Sequence, residues 1–196
     1  MNQRFRMSQR ILVVLVAFLP AVASAQWSLN NDASTLSFVT IKADHVAEVH
    51  TFDELSGAIA DDGSVEIVIE LASVNTLIPI RNERMQAMLF ETNLFPRATA
   101  SAQLDLDSLG AMSAGASESM TLNFVLSLRG QSQSYSADVM VTRGEDAIIA
   151  STLKPILVSA ESFDLATGVE ALREVAGLPS ISRAVPVSFT VVFDNG

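Results

Sequence analysis

The sequence predicts an all-β fold, a closed antiparallel barrel of about eight strands with two short helices. After Trp27 the apolar residues recur mostly at every second position, as in strands with one buried face. Gly-containing turns separate these runs, and only two segments switch to helical spacing. Closure follows because a barrel leaves no unpaired edge.

Residues 1–25 stand apart and read as a secretory signal peptide. Arg4, Arg6 and Arg10 give a cationic start, Ile11 to Ala21 an apolar run, and Ala23-Ser24-Ala25 a small-residue cleavage site. The run is too short for a stable membrane span, which needs about 20 apolar residues. Residues 26–196 then form one domain.

Within that domain, irregular strands are expected over Leu36 to Ile41 and around Phe52 to Ile59. Val65, Ile67, Ile69 and Leu71 point inward against Glu66 and Glu70. Pro79 suits a first helical position, and Met85, Met88 and Leu89 continue a helix to about Phe90. Leu104 and Leu106 alternate with acidic residues as a strand, and Ser108 to Ser119 lacks periodicity and reads as a loop. The clearest strand is Met120 to Leu128, with Phe124 and Leu126 inward and Thr121, Asn123 and Ser127 outward. Val139 and Val141 share one face of the next strand, and a further one covers Ile148 to Val158. Thr167 and Glu170 have capping-box spacing before a Val169, Leu172, Val175 stripe that Gly177 and Pro179 end. Val187, Phe189, Val191 and Phe193 close the pattern. Asp61-Asp62-Gly63, Arg129-Gly130 and Arg143-Gly144 supply hairpin turns. An eight-stranded barrel can be filled by side chains or hold one ligand, and alternation does not separate the two.

Composition narrows the function. Of the 12 Lys and Arg, three lie in the signal peptide, so nine face 22 Asp and Glu in the domain, a net charge of −13. Such a surface argues against nucleic acid as a partner. The chain has no cysteine, which excludes disulfides, a thiolate nucleophile and a lipid-bearing Cys. Oligomeric state is left open, a homodimer included.

His45 and His50, with Asp44, Glu48, Asp53 and Glu54 nearby, could suggest a metal site. Their separation of five places them on opposite faces of a strand, so no metal is expected and a solvated acidic loop is the plainer reading. No serine sits in a nucleophile elbow, and a triad would have to recruit one of two histidines, so no catalytic residue is assigned. Arg81 and Arg84 could hold an anionic head group, although pairing of Arg81 with a nearby carboxylate that fixes the helix start is favoured.

Four motifs in order carry a family resemblance. Trp27, Leu29, Asn30, Ala33, Ser34, Leu36 and Phe38 match an opening pattern in spacing, with Asn30 replacing an acid and Ala33 a histidine. Ser73-Val74-x-Thr76 is followed after four residues by Arg81-Asn82-x-Arg84-Met85, then by Phe95-Pro96, then by the hairpin Leu126-Ser-Leu-Arg-Gly130-x-Ser132-Gln133. The chain thus resembles the YceI-like family of periplasmic lipid-binding proteins over essentially the whole domain. The resemblance implies a lipocalin-like barrel whose cavity holds an isoprenoid chain, such as a polyprenyl alcohol or phosphate or a quinone tail, with no catalysis and no cofactor. The missing histidine at Ala33 implies a head group, or a contact to it, different from the family's.

On that reading the ligand meets Phe38, Ile67 and Ile69 from the early strands, and Met85, Met88, Leu89, Phe90 and Phe95 from the first helix and its exit. Ala100, Leu104, Phe124 and Leu126 follow from the middle strands, and Val139, Val141 and Phe189 from the last ones. Ala98, Ala100 and Ala102 share one parity where the family usually carries an aromatic, which leaves room if that parity faces inward. Two other readings are a small outer-membrane barrel and a ligand-free, stress-related domain with a filled barrel. One Trp, one Tyr and a chain ending Asp194-Asn-Gly196 fit the first of these poorly.

Overall fold

The structure is a computed structural model that describes residues 25–195. All but the last residue of the expected signal peptide lie outside the described residues. Strands β1 (Ala25–Leu29), β4 (Leu55–Ala60), β5 (Ser64–Glu70), β7 (Arg97–Gln103), β8 (Ser117–Leu128), β9 (Gln131–Arg143), β10 (Ala147–Thr152) and β12 (Ala184–Asn195) pair in that order. β1 pairs antiparallel with both β4 and β12, which closes an eight-stranded antiparallel barrel.

Four further strands extend these walls. β2 (Thr35–Lys42) continues the course of β1 along β12, and β3 (Val46–Phe52) pairs with β2. β6 (Val74–Asn75) pairs only with the last two residues of β3. β11 (Ile156–Ser159) continues β10 along β12 past the break at Lys154-Pro155, so the single strand expected there is two.

Helices cap the two ends differently. α1 (Pro79–Arg84) starts at Pro79 as expected and runs into a π-helical segment, Met85–Phe90. α3 (Ala166–Val175) packs against that segment so closely that a Cβ on Gly168 would lie 2.6 Å from the Met88 carbonyl oxygen. α2 (Leu106–Ala111) sends Leu109 and Met112 into the opposite end, among Trp27, Ile59, Val139, Ile148 and Phe193. That end is filled. Arg143 lies over the outer Trp27 ring, 4.8 Å from its centroid.

Three expectations are corrected. Leu106 is helical: Asp105 caps α2 by accepting hydrogen bonds from the Asp107 and Ser108 amides, which makes a third helix inside the expected strand and loop. Thr167 is no cap, because α3 already begins at Ala166 behind the 3-10 turn Ala160–Phe163, and Glu170 pairs with Arg173 instead. Val46 to Phe52 is a strand, where a solvated acidic loop was expected.

Candidate functional site

Between the filled end and the helical roof lies a cavity of about 420 Å³. Its walls explain an otherwise odd burial pattern. Leu122, Phe124 and Leu126 point inward on β8, yet each keeps part of its surface accessible, as residues facing a void must. Across β7 the alanine parity faces inward: Ala98, Ala100 and Ala102 all line the cavity, with Ala100 in register between Ile67 and Leu126. Three methyl groups there leave the space that larger side chains would fill.

The roof is built from Met85, Leu89 and Phe90 of the π-helical segment, Leu165 at the N-cap of α3, and Val169 and Leu172 within it. A π turn widens the helical period, so Met85, Leu89 and Phe90 turn inward together while Met88 turns away. Phe38, Phe52 and Phe90 form a chain of aromatic contacts with centroids 5.4 and 5.8 Å apart.

Ten of the expected ligand residues line this cavity: Phe38, Ile67, Ile69, Met85, Leu89, Phe90, Ala100, Phe124, Leu126 and Phe189. Five do not. Val139, Val141 and Leu104 belong to the filled end, Met88 faces off the cavity, and Phe95 lies under the Arg129 guanidinium at 5.8 Å from its ring centroid. Strand parity placed Val139, Val141 and Leu104 inside but carries no information on depth along the barrel axis, and helical spacing placed Met88 without the widened turn that moves it off the cavity.

The cavity has a polar mouth, of which only Arg81 and Arg84 were signalled by the sequence. Thr40, Lys42, Glu48 and His50 project inward from β2 and β3, and Arg81 and Arg84 from α1. Glu48 accepts from Lys42 Nζ at 2.7 Å and from Arg81 Nη1 at 2.6 Å, while Arg81 Nη2 donates to the Thr76 carbonyl at 2.7 Å. The Lys42 hydrogen bond, and then the Arg81 pairing, hold the Glu48 carboxyl below its ordinary pKa against the cost of burial. Arg81 therefore fixes the start of α1, as favoured from sequence.

His50 is only 3% exposed, with Nε2 2.9 Å from Thr40 Oγ1 and the ring edge-on to Phe38. Burial, reinforced by the Arg81 charge, pushes its pKa down, so the ring is neutral at pH 7. His45 is exposed, and among the described residues no group of His, Asp and Glu could hold a metal ion. β3 was illegible because its polarity is reversed: Glu48 and His50 face in, and Val49 faces water at 66% exposure.

A family model for the YceI-like domain matches residues 27–193. The chain is similar to a polyisoprenoid binding domain from Saccharophagus degradans, with 36% identity and a TM-score of 0.86, covering 88% of this chain and 100% of that one. Burkholderia cenocepacia BcnA shares the fold at 18% identity and a TM-score of 0.64, covering 84% and 98% of the two chains. A Campylobacter jejuni YceI protein does so at 17% identity and a TM-score of 0.55, covering 75% and 84%. No match was found among curated proteins.

Proposed function

This chain belongs to the YceI-like family, and we propose that it is a periplasmic binding protein that carries or sequesters one long apolar molecule of the polyisoprenoid or isoprenoid-quinone class. The observation that carries this reading is the cavity itself: a void of about 420 Å³ whose walls are aliphatic and aromatic side chains, with polar groups gathered at one end. A size of this order suits one small ligand or one folded chain.

Binding is driven by transfer of methylene groups from water to these walls, at roughly 0.8 kcal/mol for each. The filled end sets how far the chain enters, so length is discriminated there. At the other end Lys42, Arg81 and Arg84 stand where a polar head group would rest, and neutral His50 adds no charge. None of these groups is placed to attack a bond, and the reading is one of binding without turnover. Two supports come from outside the site: the signal-peptide order of residues 1–25 argues for export, and the similar Saccharophagus degradans domain is a polyisoprenoid binder.

The polar outer faces of β8 and β9, with Thr121, Asn123, Ser132, Ser134 and Ser136, are unsuited to face lipid, which weighs against an outer-membrane barrel. Titration of the purified protein with a fluorescent polyprenyl or quinone analogue tests the proposal. Saturable binding at one molecule per chain is expected, and no uptake of either probe would refute it.

A further inference from the structure

The rim of the cavity mouth carries an arrangement that neither folding nor a ligand inside the barrel explains. Leu77 is 88% exposed and has φ +62°, a left-handed conformation that a branched apolar side chain rarely adopts. Its neighbours hold it there. The Leu77 amide donates to Asn75 Oδ1 at 2.9 Å, and the amide and hydroxyl of buried Thr76 both donate to Asn82 Oδ1, at 2.9 and 2.6 Å. Arg81 locks the Thr76 carbonyl from the other side.

Ile78 and Ile80, 44% and 53% exposed, flank this knob and also line the cavity, as does Val175 across the mouth at 45%. The rim is thus an apolar surface continuous with the tunnel wall. We propose that this rim is a docking site for a phospholipid surface, with Leu77, Ile78 and Ile80 entering the interfacial layer so that the tunnel opens onto the membrane.

Charge favours a lipid surface over a second copy of the chain. The charged groups lining the mouth are three cations and Glu48, and Arg84 has no ion-pair partner among the described residues, which leaves it free for a lipid phosphate. With Asp44 and Glu83 from the flanking turn and helix, Asp53 bonded to Asn75, and Arg173, Glu170 and Glu174 beside Val175 added, four cations meet six carboxylates and the rim carries −2, whereas the domain carries −13 overall. Most of the acidic excess lies elsewhere on the surface, so this rim meets less repulsion from an anionic bilayer than the net charge of the domain implies. Two copies would repel each other, and a single protruding knob suits insertion into a fluid layer better than self-complementary packing.

Docking stands on the rim alone, while ligand transfer through it rests on the cavity reading above, and the experiment separates them. Flotation of the purified protein with phosphatidylcholine vesicles containing phosphatidylglycerol is compared with that of Leu77→Asn and Arg84→Gln. Asparagine tolerates the left-handed backbone, so Leu77→Asn should melt at the same temperature or higher yet lose roughly tenfold or more in vesicle affinity, as expected for one leucine no longer buried. Arg84→Gln should weaken binding and flatten its dependence on salt. Binding of a polyprenyl probe in vesicle-free solution should be unchanged in Leu77→Asn. Absence of flotation, unchanged flotation of Leu77→Asn, or a wild-type dimer that Leu77→Asn dissolves would overturn the docking proposal. Failure of the wild type to bind the probe would instead overturn the cavity reading.

Discussion

Replacing Ala100 with phenylalanine probes the cavity where it is most sensitive. Ala100 lies in register between Ile67 and Leu126, and all three side chains face the void. A benzene-sized group fills a space of about 150 Å³, roughly a third of the 420 Å³ present. A chain displaced from that volume forfeits contacts to about four or five methylenes, which at roughly 0.8 kcal/mol each is about 3 to 4 kcal/mol, or more than a hundredfold in Kd. The fold should tolerate the change, because the ring enters empty space and removes exposed apolar wall. In a barrel already full, the same ring would overpack the core and cost about 1 to 3 kcal/mol. Titration with a fluorescent polyprenyl analogue, run beside thermal melts, separates the outcomes. A stable Ala100→Phe variant with lost uptake is expected. Unchanged affinity in a stable variant would show that the ligand does not pass Ala100, and a marked drop in Tm would show that the void is closed in solution.

Phe124→Asp should prevent folding, since it places an unpaired carboxylate at several kcal/mol cost on the inner face and removes the stack on Tyr135 at 5.7 Å, whereas Asn123→Asp on the outer face should melt like the parent. Gly168→Ala sets a methyl 2.6 Å from the Met88 carbonyl oxygen and 2.9 Å from Leu89 Cα, and should push α3 off the roof at about 1 to 3 kcal/mol, lowering Tm by roughly 3 to 10 °C and weakening ligand binding with it. His50 is neutral in the fold with a pKa below its ordinary 6.5, so below that value the unfolded chain binds the extra proton and stability falls as pH drops toward the folded pKa. Denaturant midpoints of wild type and His50→Gln, followed from about pH 7.5 down to about pH 5, should converge or cross as the wild type alone loses this contribution. A His50→Gln curve as steep as the wild type would place the titration elsewhere.

The barrel was legible because period-two alternation, hairpin turns and the Pro79 helix start are all local signals. The alanine parity on β7 was legible for the same reason, since it depends only on odd and even positions. Depth was not legible: Val139 and Val141 satisfy the same parity as Phe124 and Leu126 but sit in the end that α2 fills, and their place depends on strand stagger and on a helix whose Asp105 cap was read as strand. Of the polar mouth only Arg81 and Arg84 were legible, because on β2 and β3 the inward Thr40, Lys42, Glu48 and His50 are polar and the outward Val49 is apolar, the reverse of the pattern that marks a buried face. The capping-box spacing of Thr167 and Glu170 misled by two residues, since the preceding 3-10 turn had already set the start of α3 with Leu165 at its N-cap. The motif residues Thr76 and Asn82, matched by spacing alone, form the clamp that sets the rim.

The most direct test of the central claim is to purify the protein from the exported fraction of its native host without detergent, extract it with organic solvent, and identify the released lipid by mass spectrometry. The account predicts one isoprenoid-type molecule per chain, absent from Ala100→Phe prepared in parallel. Protein that carries no lipid and binds none on incubation, or a lipid retained equally by Ala100→Phe, would contradict it.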